Sequence, residues 1–483
     1  MEMRSIVMVC KAVCMTFCLA LVPRATYPQD SPVMPVNQEQ AVQNLPSAPA
    51  PQGVPAQTTP GTVPNGQLPP SSPANPGTQT TLSLNQAEAL ALKNNPQISV
   101  ARLTALASEQ VTREVRSSLW PTATANLTGV DSRANSRITA GALNNPIIYE
   151  RAAAGVLVSQ LITDFGRTTN LAASANLAAK AEKQNAIATK GQILLTVDQA
   201  FYGALQAHAV LTVAQQTVSS RQTVADQVEA LFKNKLKSRL DYSFANVNLA
   251  QSKLLLLDAK NNENAALATL SMVLGYSKTQ DLQLLEDMAT ISPPPGNVDD
   301  LISQAIAMRP EILSLDFQYQ SAQKFHTAER DLFFPDIRAV GAVGDTPVRN
   351  PVLSNWYGAV GVNVEIPLFN GFVYSARSRE SSLRAQAAQD RLLDLRNRIS
   401  RDVRTSWLNA NATYERVSVT QQLLDQANLA LDLAGTRYKL GLSSIVELSQ
   451  AQLQQTQAEI SNAEAGYDYR LALAILRYQT TGL

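Results

Sequence analysis

Few side chains in this sequence are placed to do chemistry. The 483 residues include two histidines, His208 and His326, and three cysteines, Cys10, Cys14 and Cys18. The histidines stand on separate helical stretches, and the chain has no HExxH pair, glycine-rich phosphate loop or nucleophile elbow. Each reads as an ordinary helix residue, so no catalytic group, metal centre or cofactor is expected. Two acids stand out instead. Asp241 and Glu447 lie 206 positions apart and follow a turn by the same spacing. A carboxylate there favours the positive N-terminal end of the helix it opens.

The cysteines all fall in the first 18 residues, where Arg4 and Lys11 precede an apolar stretch over 12–22. A basic start and an apolar run too short to span a bilayer make a secretory signal, placed at residues 1–25. Acylation of Cys18 is the alternative, although the bulky Phe17 beside it suits a lipoprotein site poorly. Without the leader the chain has no thiol for disulfides, nucleophiles or metal ligands. The 40 basic and 39 acidic residues leave a formal charge of +1, so nothing marks a nucleic-acid partner. Residues 26–80 are rich in Pro, Gln, Ser and Thr and read as a disordered linker.

Asp241 and Glu447 match because the chain is duplicated. Residues 82–275 recur at 297–481, first with an offset of 214 that aligns Pro96 with Pro310 and Trp120 with Phe334. The offset then becomes 206, aligning Phe232 with Tyr438 and Ser238 with Ser444. Such self-similarity means two versions of one supersecondary unit, and the lost eight residues belong in a surface connection.

Each repeat should supply one β-hairpin. Ala123, Ala125, Leu127 and Gly129 alternate with Thr122, Thr124, Asn126 and Thr128, followed by a run from Tyr149 to Leu161. In the second copy a less regular run from Ile337 to Val343 precedes Trp356, Gly358, Val360, Val362 and Val364, which alternate with more polar residues. Trp120, Phe165, Phe333, Phe334 and Phe369 sit at the helix–strand junctions, as a one-sided aromatic belt would. Residues 131–148 and 345–355 would be solvent-facing loops opposite. No helical stretch is apolar enough to span a membrane, so any membrane entry is through strands. A soluble sheet packed on helices is the rival. Four strands cannot close a barrel, and open edges in lipid cost several kcal/mol per unpaired group, so the membrane reading forces oligomerisation. Three chains would give about twelve strands with room for a lumen.

The helices should be long. From Gly166 to Asn234 no proline interrupts the chain, and such a helix is on the order of 100 Å long. Residues 372–440 repeat it, and each helix then turns and returns through 241–274 and 447–480. Heptad spacing in Val446, Leu453 and Ile460, and in Leu240, Val247 and Leu254, predicts a narrow seam buried on neighbours. Polar faces with Gln450, Gln457 and Asn261 suit a hydrated tube, while periodicity alone also permits a solid stalk.

The order of elements, from Leu82 to Leu483, resembles the TolC-like outer-membrane efflux protein family. The motifs carrying the resemblance are PQISVARLTALASEQVTREVRSSLWP and PEILSLDFQYQSAQKFHTAERDLFFP, the strand exits QLITDFGR and IPLFNGF, and the turns LFKNKLKSRLDYSFAN and RYKLGLSSIVELSQAQ. The resemblance implies a mostly α fold with membrane β, in which a homotrimer joins a 12-stranded outer-membrane β-barrel to a 12-helix periplasmic α-barrel. It implies repeats at 81–275 and 297–483, joined by an equatorial connection at 276–296. Expected partners are outer-membrane lipid, a periplasmic adaptor and an inner-membrane transporter of a tripartite efflux or type I secretion system.

The family's gate lies at the periplasmic tip, which here implies Asp241 against Tyr438, and Glu447 and Gln450 near the tunnel axis. Adaptor-docking turns fall on Lys235, Leu236, Ser238, Gly441, Leu442 and Ser444. Lys235 departs from the glycine pattern, Ser443 replaces a partner arginine, and Gln450 replaces a second ring acid. An exported coiled-coil structural or adhesive protein is the main rival and leaves the hairpins idle. A periplasmic adaptor would carry only one helical hairpin.

Overall fold

The computed structural model describes residues 80–130, 137–140, 143–147, 151–280, 282–286, 291–348 and 355–482. The leader, Cys18 and the linker through residue 79 lie outside these residues. Strand β1 (Thr80–Leu82) leads into α1 (Leu84–Asn94) and α2 (Pro96–Ser117), then strands β2 (Thr122–Val130), β3 (Arg137–Ala140), β4 (Leu143–Ile147) and β5 (Arg151–Thr163). Helices α3 (Arg167–Lys233) and α4 (Arg239–Val273) complete the first repeat. Strand β6 (Leu282–Leu284) begins the connection and pairs in parallel with β1, tying it to the start of the repeat. The second repeat comprises α5 (Val298–Met308), α6 (Pro310–Arg330), a 3₁₀ turn (Asp331–Phe333), β7 (Asp336–Val348), β8 (Trp356–Glu365), α7 (Val373–Lys439) and α8 (Ile445–Thr481).

The boundaries follow local chemistry. Ser83 and Gln86 form a capping box at α1, and Asn95 accepts from the Gln97 amide at 2.9 Å to start α2. Pro96 and Pro310 occupy the first helical turn, where their fixed φ fits and no intrahelical donor is lost. Helices α3 and α7 are both 67 residues long, so the two repeats match in length as well as in pattern. Both begin after left-handed residues, Phe165 and Gly166 in one copy and Gly371 and Phe372 in the other.

Inside one chain the helices touch through clusters of larger side chains, such as Ile193, Phe201, Leu205 and Leu270, and along stripes of small ones. Ala451, Ala458, Ala465 and Ala472 recur every seven positions on α8 and are buried, matched by Ala245, Ser252 and Ala259 on α4. Small side chains let helix axes approach closely, which trades buried area for dispersion contact. The larger heptad expected to form the seam faces outward: Leu240, Val247, Leu254, Val446 and Leu453 are each more than half exposed. The seven-residue period is present, and within one chain the stripe of small residues takes the contact face while Ile460 is half-buried. The connections expected as loops also contain structure, since β3 pairs with β4 and β7 runs on to Val348.

The four-stranded antiparallel sheet has the order β2-β5-β7-β8, so one hairpin comes from each repeat and β5 joins β7 across them. Its register places Ala125, Val156, Val343 and Gly358 side by side on one face. The other face carries Thr124, Leu157, Ala342 and Ala359. Tyr357 lies there across Gly155 and Gly344, where any side chain on either glycine would collide with its ring. Among the described residues no helix covers the sheet: every residue of β8 is exposed, with Val360 at 93% and Leu127 on β2 at 86%. The five junction aromatics are exposed as well, and Phe165 stacks on Phe334 with centroids 5.7 Å apart, which puts the two repeats' junctions at one level.

Candidate gate at the helix tips

The two turns share one construction. The Leu236 amide donates to the Leu231 carbonyl at 2.8 Å, and the Leu442 amide donates to the Arg437 carbonyl at 2.8 Å, closing the last helical turn as a Schellman motif. The motif needs a left-handed residue just past the helix. Gly441 supplies it at φ +77, and Lys235, where glycine was missing, adopts φ +62 all the same. A side chain in that region costs roughly 1–2 kcal/mol, so tertiary packing here overrides residue preference. Leu236 and Leu442 project from the turns, 70% and 68% exposed, with Ser238 and Ser444 beside them as the N-caps of the return helices.

Asp241 closes a capping box. Its carboxylate accepts from the Ser238 amide at 3.0 Å and the Ser238 hydroxyl at 2.6 Å, while its own amide donates to Ser238 Oγ at 3.1 Å. Glu447 holds the equivalent position in α8, where its amide donates to Ser444 Oγ at 3.4 Å. Its carboxylate turns to Arg437, 3.5 Å away, and both groups are about half exposed. Sequence reading gave Arg437 no role, yet its charge partly offsets that of Glu447. Gln450 is exposed and lines a polar groove with Asn248, Gln251 and Gln457.

Tyr438 joins the two repeats at the tip, as does Ser449, whose hydroxyl donates to Asn248 Oδ1 at 3.0 Å. Tyr438 is 6% exposed and packs with Ala225, Val228, Ala245 and Leu249 of the first repeat and with Ile445 and Leu448 of its own. The Lys237 ammonium sits 3.8 Å from the ring centroid, within cation–π range. The Tyr438 hydroxyl is buried without a hydrogen-bond partner, and so is Ser443 Oγ in the neighbouring turn. Burial and, secondarily, the charge of Asp241 push the phenol up to about 12. The hydrogen bonds of the Asp241 carboxylate go to Ser238, and none reaches the Tyr438 hydroxyl. Beside this cluster a cavity of about 560 Å³ is lined by Val224, Leu231, Lys237, Leu431 and Tyr438.

Higher on the same helices lies a residue that sequence reading missed. Arg221 of α3 is 6% exposed, and its guanidinium donates to the Gln452 carbonyl at 2.7 Å and to Thr456 Oγ1 at 3.0 Å on α8. The repeat offered the signal, because the position 206 further on holds Ala427. Burial lowers the guanidinium to about 10, so it stays charged at neutral pH. The two histidines sit apart from the tip: His208 meets Glu263 at 2.6 Å, and His326 meets Ser381 at 3.0 Å.

This geometry has known counterparts. Among solved structures, that of CusC covers 85% of this chain and 95% of its own, with a TM-score of 0.73 at 19% identity. The outer membrane efflux protein BepC of Brucella suis is 20% identical over 320 residues, covering 66% of this chain and 69% of its own. TolC of Escherichia coli, an outer membrane protein, is 22% identical over 292 residues, or 57% of this chain and 59% of its own. At these identities each structural likeness shows the fold. The family model described as "Outer membrane efflux protein" matches residues 89–276 and 301–481, one stretch in each repeat. The bare, apolar-faced hairpins thus have an outer-membrane setting, which the adhesive-stalk reading lacked, and the chain belongs to the outer membrane efflux protein family.

Proposed function

We propose that three copies of this chain form the outer-membrane exit duct of a tripartite efflux or type I secretion system. One observation carries this reading: a four-stranded sheet that no helix covers, with one apolar face and two open edges, β2 and β8. In lipid an open edge is untenable, and closure by copies of the same chain removes it. Three hairpin pairs give about twelve strands, the size at which a barrel keeps a lumen. The long helices then continue the barrel as a periplasmic tunnel of twelve helices.

The duct is passive and closes at the helix tips. Three Glu447 carboxylates near the axis attract cations, moderated by the adjacent Arg437. Tyr438 holds the two helical hairpins of one chain together, and opening separates them. A periplasmic adaptor docks on the turns that expose Leu236 and Leu442 and beside the cavity above them, and an inner-membrane transporter delivers the cargo. Residues 1–25 act as the export signal, 26–80 as a linker before the first repeat, and 276–296 as the equatorial connection between repeats.

Planar-bilayer recording of the purified protein tests both duct and gate. Wild-type protein should give single-channel currents with cation preference and block by multivalent cations. Glu447→Gln should lower both while conductance persists; unchanged cation preference removes Glu447 from the role, and absence of channels from wild-type protein removes the duct.

A further inference from the structure

Two features of the tip have no part in the gate: a hydroxyl with nothing to bond and a helix-interior glycine with nothing beside it. Tyr438 is 6% exposed, and its hydroxyl is buried without a partner among the described residues. Buried polar groups are normally paired, with protein or with something bound to them. One turn earlier on α7, Gly435 stands inside the helix, where glycine is weaker than alanine. Its φ is not left-handed, and a Cβ built there would meet nothing within 4 Å, so neither a turn nor a close neighbour asks for glycine.

Neither feature is shared with the first repeat. The positions 206 earlier hold Phe232, which has no hydroxyl and stacks on Tyr242 with centroids 5.2 Å apart, and Glu229, which pairs with Lys233 at 2.7 Å.

Both residues line the cavity of about 560 Å³ beside the tip cluster. That volume suits a drug-sized molecule, whose sites run to roughly 300–1,000 Å³. Val224, Val228, Leu231, Leu431 and Leu448 supply apolar surface, while Lys237 and Lys439 outnumber the single lining acid, Asp432. The Lys237 ammonium lies 3.8 Å from the centroid of the Tyr438 ring, so one anionic group can reach both the ammonium and the phenol. The phenol stays a donor at neutral pH, because burial and, secondarily, Asp241 push it up to about 12. Asp241 itself lies outside the lining, hydrogen-bonded to Ser238.

We propose that this cavity is a binding site for a small amphipathic organic anion, and that its occupant holds the tip closed. The anionic group accepts from the Tyr438 hydroxyl and pairs with Lys237. An apolar or aromatic body fills the space that Gly435 leaves open, against the valines and leucines. The walls come from both repeats, α3 and its turn on one side and α7 and α8 on the other, so separating the two hairpins dismantles the site. A ligand that binds one state better than the other shifts the equilibrium toward it. The closing role rests on the proposed gate, whereas the binding does not.

Calorimetric titration of the purified full chain in detergent with anilinonaphthalene sulfonate tests the site. Phenylnaphthylamine, the same molecule without its sulfonate, tests the charge. Wild-type protein should bind one sulfonate per chain. Gly435→Leu, which fills the space, should weaken binding about tenfold or more, and comparison with it removes uptake by the detergent. Tyr438→Phe should weaken binding about fivefold, the loss of one hydrogen bond. Lys237→Gln should bring the affinity of the sulfonate down toward that of the uncharged analogue. Equal affinity in wild type and Gly435→Leu overturns the site, and phenylnaphthylamine binding wild type as tightly as the sulfonate overturns the anion. In planar bilayers the sulfonate should lengthen the closed intervals of wild-type channels and leave those of Gly435→Leu unchanged. Unchanged closed intervals in wild type at saturating probe overturn the closing role. Absence of channels removes the duct and the closing role with it, while calorimetry still decides the site.

Discussion

Tyr438 concentrates the energetics of the tip in one side chain. Its ring fills the only described cluster that spans both helical hairpins at their ends, while its hydroxyl is buried without a partner. An unsatisfied buried hydroxyl costs about 1–3 kcal/mol, so Tyr438→Phe should leave the tip as stable as before or about 1 kcal/mol more stable. Tyr438→Ala should lose about 3–5 kcal/mol by emptying the cluster. Amide hydrogen exchange across 225–249 and 431–448 reads both, and faster exchange in the Phe variant than in wild type would mean the hydroxyl has a partner. At this scale the sequence disclosed the positions and not their contacts. Repeat alignment picked out Asp241, Tyr438 and Glu447, but Arg437 beside Glu447 and Lys237 over Tyr438 depend on how two turns fold against each other.

Elements were legible wherever a residue type punctuates the chain. Pro96, Pro310, Gly166, Gly371 and Gly441 mark helix limits, and the long helices end within a residue or two of where these marks put them. What periodicity could not say is which heptad faces which neighbour, because Ala and Leu stripes share one spacing. One association of elements makes a pH prediction. Asp198 of α3 shares a cavity of about 360 Å³ with Glu88 of α1 and with Arg470 and Arg477 of α8. Burial, and then the nearby Glu88, push its carboxyl from 3.8 up to about 7. A raised acid holds its proton longer in the folded chain than in the unfolded one, so this site's stability falls as pH rises from about 4 to 7. Thermal unfolding should therefore show a Tm lower at pH 8 than at pH 5, with a flatter profile in Asp198→Asn. An equal slope in both would assign the pH dependence to other groups.

The whole molecule is defined by what one chain leaves unfinished. Helix seams of alanine close within the chain, while Leu240, Val247, Leu254, Val446, Leu453 and the apolar face of the hairpins remain bare. Partition of this kind has a sequence signature, since four alternating strands beside helices too polar to span a membrane are what the proposed shared barrel requires. The number of copies was not legible in the same way, because it follows from lumen size and strand tilt rather than from any residue. The most direct measurement is therefore the native mass of the detergent-extracted outer-membrane protein, compared with the 52.1 kDa of the full chain. The account predicts three chains per particle, less any removed leader. A stable particle of one chain, soluble without detergent, would contradict it.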